Sequence, residues 1–383
     1  MKKAKILAVV AAVALTVMSL AGCTGSGSSD SAKKLVIGGT GPITGEAASY
    51  GISVKQGAEL AVKEIGKING MEIEFLFEDD VADPAKVMTA YETLMDKDMK
   101  VFMGAVTSGA SVALNESIAK DGIFQITPSA SQIEAASVNS NAFRICFTDP
   151  LQGKAMAEYI YQTVGLKKAG IIYNQDDSYS TGMYNAFKAR FTELGGTVVA
   201  DTSFSKDAKD FNAQVTTVKS SDAEFLYLPI YAEKAAQIIL AASGKELALP
   251  VFGGDGLDGI LNYLSGDNAK LAEGLIYLTP FVATDKSENV SKFVEAYKKA
   301  YNAVPDQFAA DAYDAIYVIK AAIEKAGVTD ASISVKELGE KMTAAMTQIE
   351  VEGLTGKMTF TAEGEPNKAA KVAKIVNGEY VAQ

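Results

Sequence analysis

From Leu35 onward the chain alternates short apolar runs with amphipathic helical patterns, and this alternation restricts the fold more than any other feature. A strand followed by a helix of similar length, repeated, is the pattern of parallel βαβ units. Leu35–Gly39 reads as a strand ending in the glycine-rich turn GGTGPITG, and 50–65 keeps apolar residues at helical spacing (Ile52, Ala58, Ala61, Val62, Ile65). A strand over 71–77 follows, then Asp83 caps a helix with Pro84 at its first position. Strands over 101–106, 123–126 and 143–147 complete the first series. The second starts at Pro150 with a helix to Val164, strand 169–173, helix 181–194, strand 197–203, a helix to about Lys219 and strand 224–230. Helix 233–243 and strands 250–253 and 275–281 continue it. Three helical patterns in a row, 291–302, 307–326 and 335–346, break the alternation, and a hairpin-like segment pairing 357–361 with 373–380 ends the chain.

Two of these strands carry the chemistry. The run 101–106 breaks into Thr107, Ser108, Gly109, Ala110 and Ser111, and 123–126 gives way to Thr127, Pro128, Ser129, Ala130 and Ser131. In a parallel sheet both hydroxyl clusters emerge side by side at the carboxyl edge, where open α/β sheets bind ligands. Small residues admit a ligand close to the backbone, and unpaired N–H groups favour an anion such as a carboxylate. Ser108 and Ser131 could equally cap their own helices, and the two roles can coexist. The turn GGTGPITG lacks the Lys-Ser/Thr of a phosphate loop and the spacing of a dinucleotide fingerprint, so it reads as a tight βα turn. Glu78, Asp79 and Asp80 read as a solvated loop before the Asp83 cap, and no metal site is expected.

Composition removes most catalysis. The 383 residues contain no histidine, which excludes Ser-His-Asp and Cys-His machinery and histidine metal sites. No Gly-x-Ser-x-Gly elbow is present, so a hydrolase on this scaffold is disfavoured and the chain is expected to be a non-enzyme without a cofactor. Lys2, Lys3 and Lys5 precede an apolar run from Ile6 to Leu20, the pattern of a secretory signal over 1–22. The run closes as Leu20, Ala21, Gly22, Cys23, which resembles a bacterial lipobox and implies lipid on Cys23. The Gly/Ser stretch GSGSSDSA then makes 23–34 a flexible tether, placing the protein on the extracytoplasmic face of a membrane. Loss of three lysines and no acid with 1–22 takes the formal charge from −11 to −14, which would repel nucleic acid. Cys146 is left as a lone thiol between apolar residues and reads as a small buried hydrophobe. Roughly 360 mature residues exceed a typical single domain and call for two lobes.

The segments GPITGEAASYG, FEDDVADP, FMGAVTSGAS, ITPSAS, DDSYSTGM, FLYLPIYAEKAAQIIL and FGGDG followed by AEGLIYLTPF, in this order, resemble the leucine/isoleucine/valine-binding proteins that serve ABC transporters. The resemblance runs from about Leu35 to Val381. It implies a periplasmic-binding-protein fold of type I: two doubly wound parallel-sheet α/β lobes joined by three crossovers. Lobe 1 would take 35–147 and 281–356, and lobe 2 148–280 and 357–383. A branched-chain or similar amino acid would be captured between them and delivered to a membrane permease, the receptor acting as a monomer. A ligand sensor, or a binder of another small carboxylate or amide, is the alternative. By the resemblance Ser108 binds the ligand carboxylate, and Ser129, Ala130 and Ser131 share the carboxylate and the ammonium group. Asp255 stands where the family carries a glutamate that pairs with the ammonium, a shorter acid by one methylene; it could instead be a turn residue after Gly253-Gly254. Tyr50, Tyr179, Tyr231 and Phe308 fall on wall positions, Tyr179 being preferred over Tyr50, and Thr107 touches the side-chain pocket. Ala82 and Thr107 replace two cysteines that some members join as a disulfide.

Overall fold

A computed structural model describes residues 34–383, so the signal segment, Cys23 and nearly all of the tether lie outside the described residues. The first series comprises β1 (Leu35–Gly41), α1 (Ala48–Ile65), β2 (Lys67–Ile68), β3 (Met71–Asp79), α2 (Lys86–Asp96), β4 (Val101–Met103), α3 (Ser108–Ala113), α4 (Asn115–Asp121), β5 (Phe124–Thr127) and β6 (Ala142–Arg144). Next come α5 (Asp149–Glu158), β7 (Lys168–Asn174), α6 (Ser178–Glu193), β8 (Thr197–Phe204), α7 (Asn212–Lys219), β9 (Phe225–Leu228), α8 (Ala232–Gly244), β10 (Val251–Gly253) and β11 (Ile276–Thr279). The chain closes with α9 (Glu288–Tyr301), α10 (Gln307–Lys325), α11 (Val335–Met346), β12 (Val351–Gly353), β13 (Gly356–Met358), β14 (Lys371–Val376) and β15 (Glu379–Ala382).

These strands form two separate large sheets, ordered β2-β3-β1-β4-β5-β6 and β15-β14-β11-β10-β9-β7-β8. All pairs among β3, β1, β4, β5 and β6 are parallel, as are all among β8, β7, β9, β10 and β11. Each order reverses once, between β1 and β4 in the first sheet and between β7 and β9 in the second, so each has a crevice beyond its carboxyl edge. This is the two-lobed doubly wound α/β fold that the alternation predicts.

Both faces of each sheet are covered, which is why the strands are apolar on both sides. In the first, Leu35, Ile37, Val101 and Met103 pack under Val54 and Ala58 of α1 and Ile316 and Ile319 of α10. The alternate residues Val36 and Phe102 meet Val87, Tyr91 and Leu94 of α2 on the other face. In the second, Phe225 and Tyr227 pack on Met183 and Phe187 of α6, while Leu226 and Leu228 face Val215 and Ala235. The three consecutive helices thus have a definite use: α10 and α11 return to the first sheet, with α10 so close to α1 that a Cβ on Gly57 would lie 2.0 Å from the Ala309 carbonyl oxygen.

Three local expectations change. The segments 357–361 and 373–380 do not pair with each other: β13 pairs with β12, and β14 with β15. Between those hairpins the chain packs on β6, where Phe360 meets the Phe143 ring edge to face at 6.2 Å and the Gly364 carbonyl accepts from Arg144 N at 3.0 Å. Asp80 is fully buried rather than solvated, and burial pushes its carboxyl up to about 6. Its neighbour Asp79 accepts from Ile43 N and Val81 N, each at 3.0 Å, and so stitches β3 to the turn after β1. The helix after Asp83 begins at Lys86 rather than at Pro84, and Asp83 accepts from Ala85 N and Lys86 N at 2.8 and 3.1 Å in the turn that leads into it. Cys146 is buried. Among the described residues no helix is long and apolar enough to cross a membrane.

Candidate functional site

A small space lies between the carboxyl edges of the two sheets. Thr107 and Val106 reach it from the loop after β4, Ser129 and Ser131 from the loop after β5, and Tyr50 from α1 beyond β1. From the opposite side come Tyr179 after β7, Tyr231 after β9, and Asp255 and Gly256 after β10, with Phe308 of α10 closing one end. Every strand that flanks a reversal contributes, which is the geometric result of opposing two parallel sheets edge to edge.

The first wall is rigid because its polar atoms are already engaged. Ser129 donates its hydroxyl to the Val106 carbonyl at 2.7 Å, and Thr127 donates to Ala105 at 2.7 Å while accepting from Ala130 N at 2.9 Å. Ser108 accepts from Ser131 N and Gln132 N at 3.1 and 3.2 Å, so it ties the two hydroxyl loops together. Behind them sits Arg144, fully buried, whose guanidinium donates to the carbonyls of Ala130, Gln132 and Ile133 at 2.7 to 2.8 Å and pairs with Glu365 at 3.1 Å. Thr107 is the exception: its hydroxyl is buried without a partner and lines the space.

The second wall is aromatic and acidic. Tyr179 and Tyr231 stack at 4.9 Å, and Tyr50 sits 5.2 Å from Tyr231 and 4.7 Å from Phe308, edge to face. Such rings cover an apolar group and exclude water. The Tyr50 hydroxyl also crosses the cleft, donating to the Gly256 carbonyl and accepting from Ala232 N, both at 2.7 Å. Asp255 is buried; its carboxylate accepts from the Tyr179 hydroxyl at 2.9 Å, and its backbone is held by Gln152 at 3.0 Å and Gln307 at 2.8 Å. No lysine or arginine among the described residues pairs with it. Burial therefore pushes its carboxyl up to about 6, against the opposing pull of its hydrogen bonds.

Eight of the ten residues singled out from the sequence surround this space: Tyr50, Thr107, Ser129, Ser131, Tyr179, Tyr231, Asp255 and Phe308. Ser108 and Ala130 stand behind it, occupied in joining and shaping the loops. Tyr50 is buried and lines the space as fully as Tyr179 does. Arg144, Gln152 and Gly256 escape the sequence reading. An arginine inside the apolar run AFRICF is the one signal that could have pointed to Arg144, since a buried guanidinium has to find several acceptors. Gly256 has a steric reason: a Cβ there would lie 2.6 Å from the Tyr179 hydroxyl.

Two opposed doubly wound lobes with an aromatic-walled polar space between them define a solute-binding clamp. The chain belongs to the periplasmic binding protein family, whose model matches residues 34–379. It is 31% identical to Leu/Ile/Val-binding protein homolog 3 of Brucella melitensis, over 86% of this chain and 88% of that protein. Among solved structures it is similar to the branched-chain amino acid transporter substrate-binding protein LivJ of Streptococcus pneumoniae in complex with isoleucine, at 28% identity and a TM-score of 0.82, covering 92% of this chain and all of the other. A solute-binding protein of an ABC transporter from R. palustris in complex with benzoate is similar at 25% identity and a TM-score of 0.82, covering 91% and 95%. The family is one of extracytoplasmic solute receptors rather than an enzyme class.

Proposed function

We propose that this chain is the receptor of an ABC importer, capturing a branched-chain or similar amino acid between its lobes and delivering it to the permease. The observation that carries the reading is Asp255, a buried carboxylate with no cationic partner, facing hydroxyls across an aromatic-walled space. A buried charge of this kind is costly unless a partner arrives, and an α-ammonium group is such a partner. Thr107, with its unpaired hydroxyl, supplies a donor for the carboxylate, and Tyr50, Tyr231 and Phe308 cover the side chain. Lipid on Cys23 would hold a monomeric receptor at the outer face of the membrane through the 23–34 tether. The lobes would divide at about 147, at about 280 and after 357, and the packing of Phe360 and Gly364 on β6 favours a last boundary beyond 364.

A small aromatic carboxylate is the second reading, favoured by the benzoate complex of the R. palustris relative. Against it stands Asp255, since an anion without an ammonium would face an unpaired acid. A thermal-shift screen of leucine, isoleucine, valine and benzoate separates the two. A ligand at about 100 times its dissociation constant adds roughly 2.7 kcal/mol of stability, and the amino acids alone are expected to do so. Stabilisation by benzoate and by none of the amino acids would overturn the first reading.

A further inference from the structure

The mouth of the cleft is a groove lined by Glu46, Asp83 and Thr107 on the side of the first sheet and by Asp177, Tyr231 and Lys234 on the side of the second. It opens onto the ligand space, since Thr107 and Tyr231 line both. Across it Glu46, in the turn between β1 and α1, accepts from Lys234 Nζ of α8 at 3.0 Å and also pairs with Lys209 from the loop between β8 and α7. Lys234 is 6% exposed, and Glu46 supplies its one carboxylate among the described residues; it also donates to the Ala208 carbonyl at 2.9 Å, beside the Phe211 ring. Burial alone would raise the Glu46 carboxyl, but the two lysines prevail and hold it below the ordinary carboxylate range, so Glu46 is charged. Two residues in the first turn of α1 reach across as well. Ser49 Oγ and Tyr263 Oη share a hydrogen bond at 3.0 Å, and the Tyr50 hydroxyl accepts from Ala232 N at the start of α8 while donating to the Gly256 carbonyl. The helix α8 has no side-chain cap of its own, so one of its free N-terminal N–H groups is satisfied from the opposite lobe.

We infer that residues 46–50 form a clasp that holds the two lobes shut, and that Glu46 is a positioning residue for capture, acting through Lys234 and Lys209 and not on the ligand. Each of these contacts joins the two lobes, so separating the lobes removes them together. Opening leaves Lys234 with a carbonyl in place of a carboxylate and leaves Ala232 N without its acceptor, and both changes cost free energy. Water entering the open cleft offsets part of that cost, and Lys209 is exposed enough for solvent screening, so the clasp biases closure and does not enforce it. Glu46 does not line the ligand space, so its effect is independent of the solute's chemistry: it slows the release of whatever is bound. The inference rests on the receptor reading above, but not on the ligand being an amino acid.

The test is stopped-flow kinetics of leucine binding to wild type and Glu46→Gln, a substitution at an exposed position. Leucine is expected to leave Glu46→Gln roughly fivefold faster, with its association rate changed by less than about twofold. Added NaCl should speed release from the wild type more than from Glu46→Gln, because the ion pairs it screens are gone in the variant. Lys234→Met is expected to release leucine faster too, and the double variant no faster than Glu46→Gln, because the two residues act through one contact. An unchanged dissociation rate in Glu46→Gln, a change confined to association, or additive effects in the double variant overturns the inference. If the wild type binds no leucine, the amino-acid reading falls and the clasp is tested on the ligand-free proteins instead. Small-angle scattering is then expected to give Glu46→Lys a larger radius of gyration than the wild type, and equal radii overturn the inference.

Discussion

The two walls of the cleft differ in how far their polar groups are satisfied before any ligand arrives. On the wall formed after β4 and β5, Ser108, Thr127, Ser129 and Arg144 all spend hydrogen bonds on the loops that carry them. On the wall formed after β7, β9 and β10, Asp255 is buried without a countercharge among the described residues. The first wall is a preformed template, in which hydrogen bonds to the loop's own backbone fix the geometry at no cost to binding. The second stores an unfavourable charge that a cationic ligand relieves, so affinity is concentrated on one group. Substitutions on the first wall should therefore appear in stability, and those on the second in binding.

The largest effect is expected at Arg144. Arg144→Leu leaves three carbonyls and Glu365 without their donor, at a cost of about 3 kcal/mol or more in stability by chemical denaturation. A loss under 1 kcal/mol would mean that the hydroxyl loop holds its shape unaided.

Next comes pH. Asp255 titrates at about 6 in the folded protein against an ordinary value of 3.8, so between these values the native state retains a proton that the unfolded chain has released. Its contribution to stability is thus lost as pH rises from about 4 through 6, by roughly 2 to 3 kcal/mol. Asp258, pushed up to about 7 by burial and by Asp306, acts in the same direction, so the share of Asp255 is read as the difference from Asp255→Asn. Denaturation of both ligand-free proteins at pH 4.5 and 7.5 measures it, and identical pH profiles would contradict the picture of an unpaired acid.

The smallest effect is expected at Tyr179, whose hydroxyl donates to Asp255 at 2.9 Å and accepts from Gly256 N at 2.9 Å. Tyr179→Phe keeps the stacked ring and removes both bonds, so leucine binding should weaken by about 1.5 kcal/mol, roughly tenfold. Unchanged affinity would make Tyr179 a wall residue only.

The contrast between the walls also explains what could be read from sequence. The alternation gave the βαβ series because both faces of each sheet are buried, and Thr107, Ser129 and Ser131 stood out because small hydroxyl residues directly follow apolar strands. Asp255 was legible through the family resemblance, which puts an acid at this place after β10. Arg144 and Gln152 were not, because their roles depend on partners that only the fold supplies: Glu365 is 221 residues from Arg144, and Asp255 is 103 residues from Gln152. The final hairpins were misread since strands 12 to 15 are short, and local turn signals cannot say which neighbour pairs with which.

The central claim is that Asp255 is the partner of a ligand ammonium group. Titration calorimetry of wild type and Asp255→Ala with leucine tests it most directly. Truncating one member of a buried charge pair costs about 2 to 5 kcal/mol, so the account predicts affinity weakened by roughly 30-fold or more with the fold intact. Equal affinity in the two proteins would contradict it and make Asp255 a turn residue.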